Sequence, residues 1–583
     1  MGVTCDSIRA GALALVALAW LSGPAAAEAT AVAPNLDAAS APPAAAAPAD
    51  AVPAVAPAPT PAATPQDAAA PAVDPQTAAA MSAALDALVA ADVKTSPIGP
   101  GDWRAARLAI RVFYAARGFA PVWFDGRDLN PHGRAALARL ERADDDALDL
   151  AAFVLPKDLP ADATPERLAE AESTLSAAVV AYAMQASGSR IVPSHISSLI
   201  TARPTLADPG AALAAVAAAA DPDAALDGYN PPQKGYRELR DQLSRAREAP
   251  PPPANPTAAA TTLRIPDGPS LGLGTHDPRV PLVRARLGVP ADGAAAEVYD
   301  LPLAAAVQAF QRANGLPPNG ALTPGTAAAL SGGVAAPALA VAATVSPARR
   351  VAMLAANMEM WRWEPRDMGV ERIEINIPDY TLRMMDGDDL VHQARVIVGK
   401  PDTPTPIFSN AMKYILVNPI WRVPDSIVRK EFAPHLAEDP DYLARRGYQV
   451  AEIGGHMFVS QPPGEGNALG HILFMFPNEH SVYLHDTPLR GLFGTARRAY
   501  SHGCVRLDQP MRLAELVMGA GWSARLQAMI GSTERTVMLP HPIPIHLEYF
   551  TEFVDATGEL REREDIYGIA ARVAGTIAKT SQD

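Results

Sequence analysis

The sequence predicts a multidomain α+β fold. Its expected parts are a helical scaffold domain, a small three-helix module, and a mainly-β C-terminal domain with an inserted helical capping subdomain. Three observations lead to this prediction. A chain of 583 residues is too long for one ordinary domain. Linker-like stretches rich in Ala or Pro at 249–260 and 333–344 separate the parts. From Val370 onward, the hydrophobic period changes from that of helices to the alternation of strands.

The N-terminal region has the sequence pattern of an export signal. Within residues 1–27, Arg9 precedes an apolar run at 10–21, and small residues then offer a cleavage site before Glu28. We expect a signal peptide; a retained membrane anchor is the alternative. Residues 28–75 are dominated by Ala and Pro and cannot bury a core, so we expect them to form a disordered tether.

Charge and cysteine usage narrow the class of protein further. The formal net charge is −14, which argues against a general nucleic-acid binder. The chain has two cysteines, and signal cleavage would remove Cys5. Cys504 would then have no partner for an internal disulfide, so we expect either a free reactive thiol or an intermolecular link.

The segment 76–248 has helical periodicity, and its residues form no recognisable catalytic pattern. Asp102 is expected to cap the N-terminus of one of its helices. Tyr114, Arg117 and Trp123 could contact a ligand, but packing in the core is the favoured interpretation.

Residues 263–332 predict three short helices in a compact module. Asp277-Pro278 and Thr323-Pro324 each combine an N-cap residue with a proline at the first helical position. The segments Ala306-Val307-Gln308-Ala309-Phe310-Gln311 and Asn314-Gly315-Leu316 resemble the peptidoglycan-binding module of cell-wall enzymes. A plain spacer domain is the alternative.

Residues 349–545 form the predicted C-terminal domain. A helix at 349–363 leads into alternating strands that start near Ile373. Residues 421–470 interrupt this pattern with helical signals. A segment of that length inside a compact domain is often a lid, and a structural excursion is the alternative. Residues 546–583 are predicted to be a C-terminal tail.

The pattern around Cys504 is typical of nucleophilic catalysis. A thiol attacks as the thiolate, so a catalytic cysteine needs a base or a cation beside it. His485 ends a predicted strand upstream, His502 lies two residues before Cys504, and Gly503 permits unusual backbone angles. These parts suit acyl transfer through a thioester. A zinc site or an inert core cysteine fits the pattern less well, so we expect no metal and no cofactor.

The segment around Cys504 also resembles a known family. Ser501-His502-Gly503-Cys504-Val505-Arg506, with His485 upstream, is similar to the active-site signature of the L,D-transpeptidases, whose catalytic domain is of the YkuD type. Asn418-Pro419-Ile420-Trp421-Arg422-Val423-Pro424 and Phe476-Pro477-Asn478 extend the resemblance. It indicates the large, multidomain periplasmic subgroup, which joins a scaffold domain, a peptidoglycan-binding module and a catalytic domain with a capping insertion.

The resemblance implies a reaction and a set of roles. The enzyme would cleave the L,D bond after the third residue of a peptidoglycan tetrapeptide stem and release D-alanine. The tripeptide would pass to a diaminopimelate amine, which gives a 3→3 cross-link. Cys504 would be the nucleophile and His485 the general base and acid. His502 and Gly503 would shape the oxyanion and acyl site, and Arg506 would hold the loop or meet a stem carboxylate.

Other polar residues near the site complete the prediction. Ser501 is placed with the substrate-binding residues and can order the loop together with Asp508, which can also cap the next helix. Arg490, Arg497 and Arg498 are expected to gather around the site, either to bind stem carboxylates or as a solvated charged face.

Two alternatives remain open for the function. The same acyl-enzyme could deliver its acyl group to an amine of an outer-membrane protein or lipoprotein, or to water. The chain could also be a wall-binding structural protein with a dead site, although the pairing of Cys504 with His485 argues against it. The expected partners are peptidoglycan stem peptides, and an outer-membrane protein acceptor is a second candidate. The expected location is the periplasm, without a stable membrane span after signal cleavage.

Overall fold

The computed structural model describes residues 73–91, 96–160, 162–248, 264–291, 296–314, 316, 319–331, 346–454 and 456–580. The predicted signal peptide, nearly all of the predicted tether and both predicted linkers lie outside these residues. The described residues all belong to one unit, Ala70–Asp583. Over this part of the chain, no helix combines the length and the apolar character that a membrane crossing requires.

The N-terminal part is helical, and capping residues define where its helices begin. Thr164, Asp208 and Asp221 each accept the backbone N–H three residues further on and are followed by a proline. Asp102 accepts the N–H of Ala105 at 2.9 Å, so its predicted capping role is confirmed. The elements are α1 (Pro75–Ala90), α2 (Trp103–Ala116), β1 (Phe124–Asp125), β2 (Asp128–Leu129), α3 (Pro131–Leu140), α4 (Pro165–Ala186), α5 (Pro193–Ile196), α6 (Pro209–Ala218), α7 (Pro222–Asp227) and α8 (Lys234–Glu248), with a 3₁₀ turn at Ala143–Asp146.

The core of this helical part is built around α4, most of whose residues are buried. The side chains of Tyr114 and Trp123 are fully buried, which confirms that they are core residues. The Tyr114 hydroxyl donates to Glu172 at 2.7 Å, and the Trp123 indole N–H donates to Ser176 at 2.8 Å. Burial raises the pKa of Glu172 to about 7. The buried polar atoms of these aromatic side chains are therefore hydrogen-bonded, as a stable core requires.

The small module contains α9 (Val280–Leu287), α10 (Leu301–Ala313) and α11 (Pro324–Ser331). Thr323 caps α11 by accepting the N–H of Thr326 at 3.2 Å. Asp277 does not cap α9 as predicted. Its carboxylate instead binds both the backbone N–H and the guanidinium of Arg279, so the helix begins later than the sequence suggests. Gly315, from the segment that resembles the peptidoglycan-binding module, lies outside the described residues.

The C-terminal domain is built on strands that close into a barrel. The strands of the domain are β3 (Glu371–Asn376), β4 (Thr381–Asp386), β5 (Asp389–Gly399), β6 (Phe408–Val417), β7 (Trp421–Arg422), β8 (Gln449–Ile453), β9 (His456–Gln461), β10 (Ile472–Met475), β11 (Leu484–His485), β12 (Ala499–Ser501), β13 (Val505–Leu507), β14 (Arg535–Glu548), β15 (Glu552–Val554) and β16 (Leu560–Glu562). The strand order in the barrel is β12-β5-β13-β11-β10-β6-β14-β3-β4, and β4 pairs with β5, so the ring closes on itself. Its helices are α12 (Pro347–Trp361), α13 (Asp425–Ile427), α14 (Ala433–Glu438), α15 (Pro510–Met518), α16 (Trp522–Met529) and α17 (Ile569–Thr580).

Alternation along the strands separates the barrel interior from its outer face. Ile373 and Ile375 are fully buried in the main hydrophobic cluster, whereas Glu374 between them lies on the other face and pairs with Arg372. The predicted alternation from Ile373 is therefore confirmed. The mixed α+β, multidomain fold class is confirmed as well.

The capping insertion has its own small core, centred on Val428, Leu443 and Val459. Its helical signals correspond to α13, a π-helical turn at Val428–Phe432, α14, and a 3₁₀ turn at Ala444–Arg446. The structure adds a three-stranded sheet in the order β7-β9-β8, which the helical signals did not predict.

The end of the chain is part of the barrel domain. Strand β14 runs through the predicted boundary at 545, and Ile545 and Leu547 pair in parallel with Ile373 and Ile375. Helix α17 then buries Ile569 in the same hydrophobic cluster. The predicted tail at 546–583 is therefore wrong over its described residues, because its apolar side chains complete the core.

The last scaffold helix also packs into that core. Tyr236 and Leu243 of α8 lie in one cluster with Leu354 of α12. At Gly235, an added Cβ would lie 2.4 Å from the Trp361 ring, so the two helices approach at a residue without a side chain. The predicted boundary at 248 thus separates segments that share a core.

Candidate active site

Two short parallel strands bring the predicted catalytic residues together. Strand β11 pairs with β13 so that Leu484 lies opposite Val505, and His485 lies opposite Arg506. Leu484 and Val505 point into the barrel core. Because side chains alternate along a strand and paired residues project to the same side, His485 and Arg506 lie on the face opposite to Leu484 and Val505. Cys504 directly precedes β13 and Tyr483 directly precedes β11, so the thiol lies at the start of the strand pair that carries the imidazole.

The ring of His485 is buried and held in one orientation. Its Nδ1 donates to the carbonyl oxygen of Asp486 at 2.6 Å. The Asp486 carboxylate accepts from Arg490 at 2.8 Å and from the backbone N–H of His471 at 3.0 Å. Burial, with a further contribution from the charge of Arg506, lowers the pKa of His485 to about 3. The imidazole is therefore neutral at physiological pH.

Cys504 is a half-buried free thiol. Burial raises its pKa to about 11, against hydrogen bonds from the backbone and side chain of Tyr483 and the positive charge of Arg506. Its Sγ lies 3.9 Å from the carbonyl oxygen of Ser481. With His485 neutral as well, the resting pair is thiol and imidazole. The sequence predicted a base or a cation beside the cysteine, and desolvation keeps both groups neutral at rest.

A tight turn presents the cysteine. The Ser501 hydroxyl donates to the carbonyl oxygen of Cys504 at 2.5 Å and accepts the N–H of Gly503 at 3.2 Å. Gly503 has φ +116°, a conformation that side-chain-bearing residues rarely adopt, and its carbonyl accepts from Thr405 at 2.7 Å. Ser501 is buried and Gly503 uses its N–H inside the turn, so both residues shape the loop that carries Cys504.

His502 faces the capping insertion. Its Nε2 lies 2.6 Å from Oε1 of Glu431, which is carried by the π-helical turn of the insertion. The ammonium of Lys400, just beyond the end of β5, lies 3.4 Å from the same nitrogen. The insertion thus contacts the turn two residues from Cys504.

The arginines divide between the site and other surfaces. Arg506 lies beside the pair, and its Nε is buried with no hydrogen-bond partner among the described residues. Arg490 binds Asp486. Arg497 instead pairs with Glu564, and Arg498 donates to backbone carbonyls of Val396, Thr495 and Tyr380. Arg497 and Arg498 thus bind protein groups outside the turn that carries Cys504, and Arg497 is exposed, as the alternative of a solvated charged face expects.

Asp508 also differs from its prediction. It pairs with Arg395 at 3.1 Å, and α15 begins after Gln509 without a side-chain cap. The carboxylate therefore links the loop to β5, while the helix start depends on its proline.

Tyr483 is a site residue that the sequence did not assign. Its side chain hydrogen-bonds to Cys504, and its ring packs edge-on against His485 with centroids 5.9 Å apart. Burial raises its pKa above the usual value, so the hydroxyl stays protonated. The signal available in the sequence was its position two residues before His485, on the same face of a strand.

Comparison with family models assigns three parts of the chain. Residues 370–537 match the model of the L,D-transpeptidase catalytic domain, residues 285–330 match a peptidoglycan binding domain, and residues 108–243 match a scaffold domain. These matches confirm the resemblance seen in the sequence. The chain contains a YkuD-type L,D-transpeptidase catalytic domain together with a peptidoglycan-binding domain.

Individual relatives support the same assignment over part of the chain. The curated protein named "Putative L,D-transpeptidase" from Haemophilus influenzae is 31% identical over 216 residues, which is 34% of this chain and 44% of that protein. The chain thus spans less than half the length of the curated relative it matches.

Solved structures of L,D-transpeptidases are similar to parts of the chain at low identity. One from Mycobacterium smegmatis has 15% identity and a TM-score of 0.18, and covers 31% of this chain and 58% of its own. One from Xylanimonas cellulosilytica has 16% identity and a TM-score of 0.14, and covers 48% of this chain and 98% of its own. At these TM-scores the structural matches carry no argument, and the assignment rests on the family models and the curated relative.

Proposed function

We propose that the protein is a periplasmic L,D-transpeptidase that forms 3→3 cross-links in peptidoglycan. Its donor is a tetrapeptide stem, which it cleaves after the third residue, and its acceptor is the side-chain amine of diaminopimelate in a second stem. The observation that supports this proposal most is the parallel pairing of β11, which carries His485, with β13, which Cys504 directly precedes.

In the first half of the reaction, the thiol of Cys504 attacks the carbonyl carbon of the L,D bond. His485 Nε2 takes the thiol proton as the C–S bond forms, because both groups start neutral. The C–N bond then breaks, and D-alanine leaves with the proton that the imidazole returns. Starting from a neutral pair avoids holding a buried ion pair before the substrate arrives.

The surrounding residues have supporting roles. Tyr483 steadies the sulfur through its hydrogen bonds, and Ser501 and Gly503 hold the turn. The unpaired Nε of Arg506 suits a stem carboxylate, since a guanidinium forms strong charge-assisted hydrogen bonds with carboxylates. The capping insertion covers the bound stem. His502 lies at the edge of the acyl site and links it to the insertion.

The module at 285–330 would keep the enzyme on its polymeric substrate. Export by the N-terminal signal peptide would place the chain in the periplasm, where stem peptides are available. The binding module and the catalytic domain in one chain support a peptidoglycan acceptor over a soluble one.

Purified disaccharide-tetrapeptide incubated with the full chain tests this proposal. We expect release of D-alanine and formation of dimers whose mass and fragmentation show a 3→3 bond, and neither product with Cys504→Ala. Release of D-alanine with tripeptide monomers alone would identify water as the acceptor. Adducts only on an added outer-membrane protein would identify an anchoring ligase. No D-alanine release by the wild-type chain would overturn the proposal as a whole.

A further inference from the structure

A carboxylate of the capping insertion reaches the catalytic turn. Glu431 lies on the π-helical turn Val428–Phe432, and such turns are frequent at functional sites. Its Oε1 lies 2.6 Å from Nε2 of His502, two residues before Cys504. In the described part of the chain, no other carboxylate hydrogen-bonds to the turn at 501–504. The insertion therefore brings one acidic group to the mouth of the site.

The hydrogen-bond geometry assigns the roles of the three polar groups. A single Nε2 cannot donate to Glu431 and accept from Lys400 at the same time. The contact with Glu431 is short at 2.6 Å, whereas the Lys400 ammonium lies at 3.4 Å. The distances fit donation from His502 to the Glu431 carboxylate, with Lys400 as a nearby positive charge. In this state, the Glu431 carboxylate accepts a hydrogen bond from His502.

The carboxylate is also accessible, unlike the other acidic groups of the site. The side chain of Glu431 is 44% exposed. Asp486 is buried and bound by Arg490, and Asp508 is bound by Arg395. Glu431 is thus the acidic group near Cys504 that an incoming cation can reach, and a carboxylate at the mouth of the site favours such a cation.

We propose that Glu431 is the acceptor-docking residue: its carboxylate receives the ammonium of the acyl acceptor and positions it over the thioester on Cys504. This inference rests on the proposed transpeptidase function and adds a residue for the second half of the reaction. The acceptor class it selects is a primary amine that is cationic in solution, such as the side-chain amine of a stem peptide. The ammonium takes the place of the His502 donor on the carboxylate.

The acyl-transfer step requires the acceptor amine, the thioester on Cys504 and the imidazole of His485. The bound ammonium loses one proton to solvent and then attacks the thioester carbonyl carbon. The new C–N bond forms, the C–S bond breaks, and the remaining excess proton on nitrogen passes through His485 to the departing sulfur. The products are an amide and the Cys504 thiol. Glu431 forms no covalent bond; it holds the amine where water would otherwise attack.

If the contact between Glu431 and His502 were only structural, loss of Glu431 would affect a different step of the reaction. If Glu431 only held the insertion closed, its loss would change entry of the donor stem and thus the rate of acylation. If it docks the acceptor, acylation is preserved and the competition between amine and water changes. The two steps are measured separately, so the two roles are distinguishable.

The experiment uses the full chain as wild type and as Glu431→Gln, Glu431→Asp and Glu438→Gln variants. Glu438→Gln is the matched control, because Glu438 is an exposed glutamate of the same insertion. Acylation by disaccharide-tetrapeptide is followed by intact-protein mass spectrometry. The ratio of cross-linked to hydrolysed product is then measured against rising concentrations of disaccharide-tripeptide acceptor.

We expect Glu431→Gln to raise the acceptor concentration for half-maximal transfer about 5- to 10-fold, as expected for a partly exposed charge contact. The acylation rate of Glu431→Gln should stay within about 2-fold of wild type. Glu431→Asp should require an acceptor concentration between those of wild type and Glu431→Gln, and Glu438→Gln should match wild type in both measurements. An unchanged product ratio in Glu431→Gln, or an equal fall in acylation, would overturn the docking role. Wild-type acylation reports on the proposed function itself, so a failure there is recognised independently and removes both proposals.

Discussion

The neutral state of the resting Cys504 thiol can be tested by its rate of alkylation. With a pKa of about 11, only about one thiol in 10,000 is ionised at pH 7. An ordinary cysteine with a pKa of about 8.5 is about 3% ionised at that pH. The buried thiol therefore carries roughly 300-fold less thiolate, because desolvation disfavours the charged form.

The more basic thiolate compensates in part. Nucleophilicity rises with pKa with a Brønsted coefficient of about 0.4 to 0.5, which returns about a factor of 10. The net expectation is that Cys504 reacts with iodoacetamide roughly 20- to 30-fold more slowly than an ordinary thiol at pH 7. The rate should continue to climb, about 10-fold per pH unit, up to pH 10.

The assay follows carbamidomethylation by intact-protein mass spectrometry from pH 6 to pH 10.5. A Cys5→Ser chain makes Cys504 the single thiol. A synthetic peptide with the sequence of residues 501–506 is the matched reference, since it keeps the neighbours and removes the fold. A protein rate that levels off by pH 7, or that exceeds the peptide rate, would refute the neutral pair and indicate a thiolate–imidazolium pair.

Two glycines give further predictions. Gly503 has φ +116°, which strains any residue that carries a side chain, so Gly503→Ala should lower the free energy of unfolding by about 1–3 kcal/mol and slow acylation. Urea titration measures the stability, and an unchanged urea midpoint would contradict this prediction. Gly235→Ala should lower stability by about 1–3 kcal/mol, because its Cβ would lie 2.4 Å from Trp361. The control is Gly575→Ala, where an added Cβ would meet open space, so this variant should be as stable as wild type or more stable. Equal losses of stability in Gly235→Ala and Gly575→Ala would argue against tight packing of α8 on α12.

Local signals in the sequence were sufficient for much of the fold. Asp102 and Thr323 mark helix starts because capping involves only residues three positions apart. Alternation from Ile373 marked the barrel strands because one face of each strand is buried. The prediction that Asp277 caps α9 was wrong because its carboxylate binds the neighbouring side chain of Arg279.

Features that depend on distant contacts were not predictable in this way. The residues after 545 looked like a tail because their partners lie in β3, far earlier in the chain. The shared core of α8 and α12 depends on contacts across a linker. At the site, Cys504 and His485 are proposed from a recognisable pattern in the sequence. Their protonation states depend on burial, and the approach of Glu431 depends on how the insertion folds back.

The most direct test of the account is whether a stem peptide becomes attached to Cys504. The full chain is mixed with disaccharide-tetrapeptide, quenched in acid, and examined by intact-protein and peptide mass spectrometry. The account predicts an adduct equal to the donor minus D-alanine, located on Cys504, sensitive to hydroxylamine as a thioester is, and absent from Cys504→Ala. An adduct on another residue, or release of D-alanine by the Cys504→Ala chain, would contradict it.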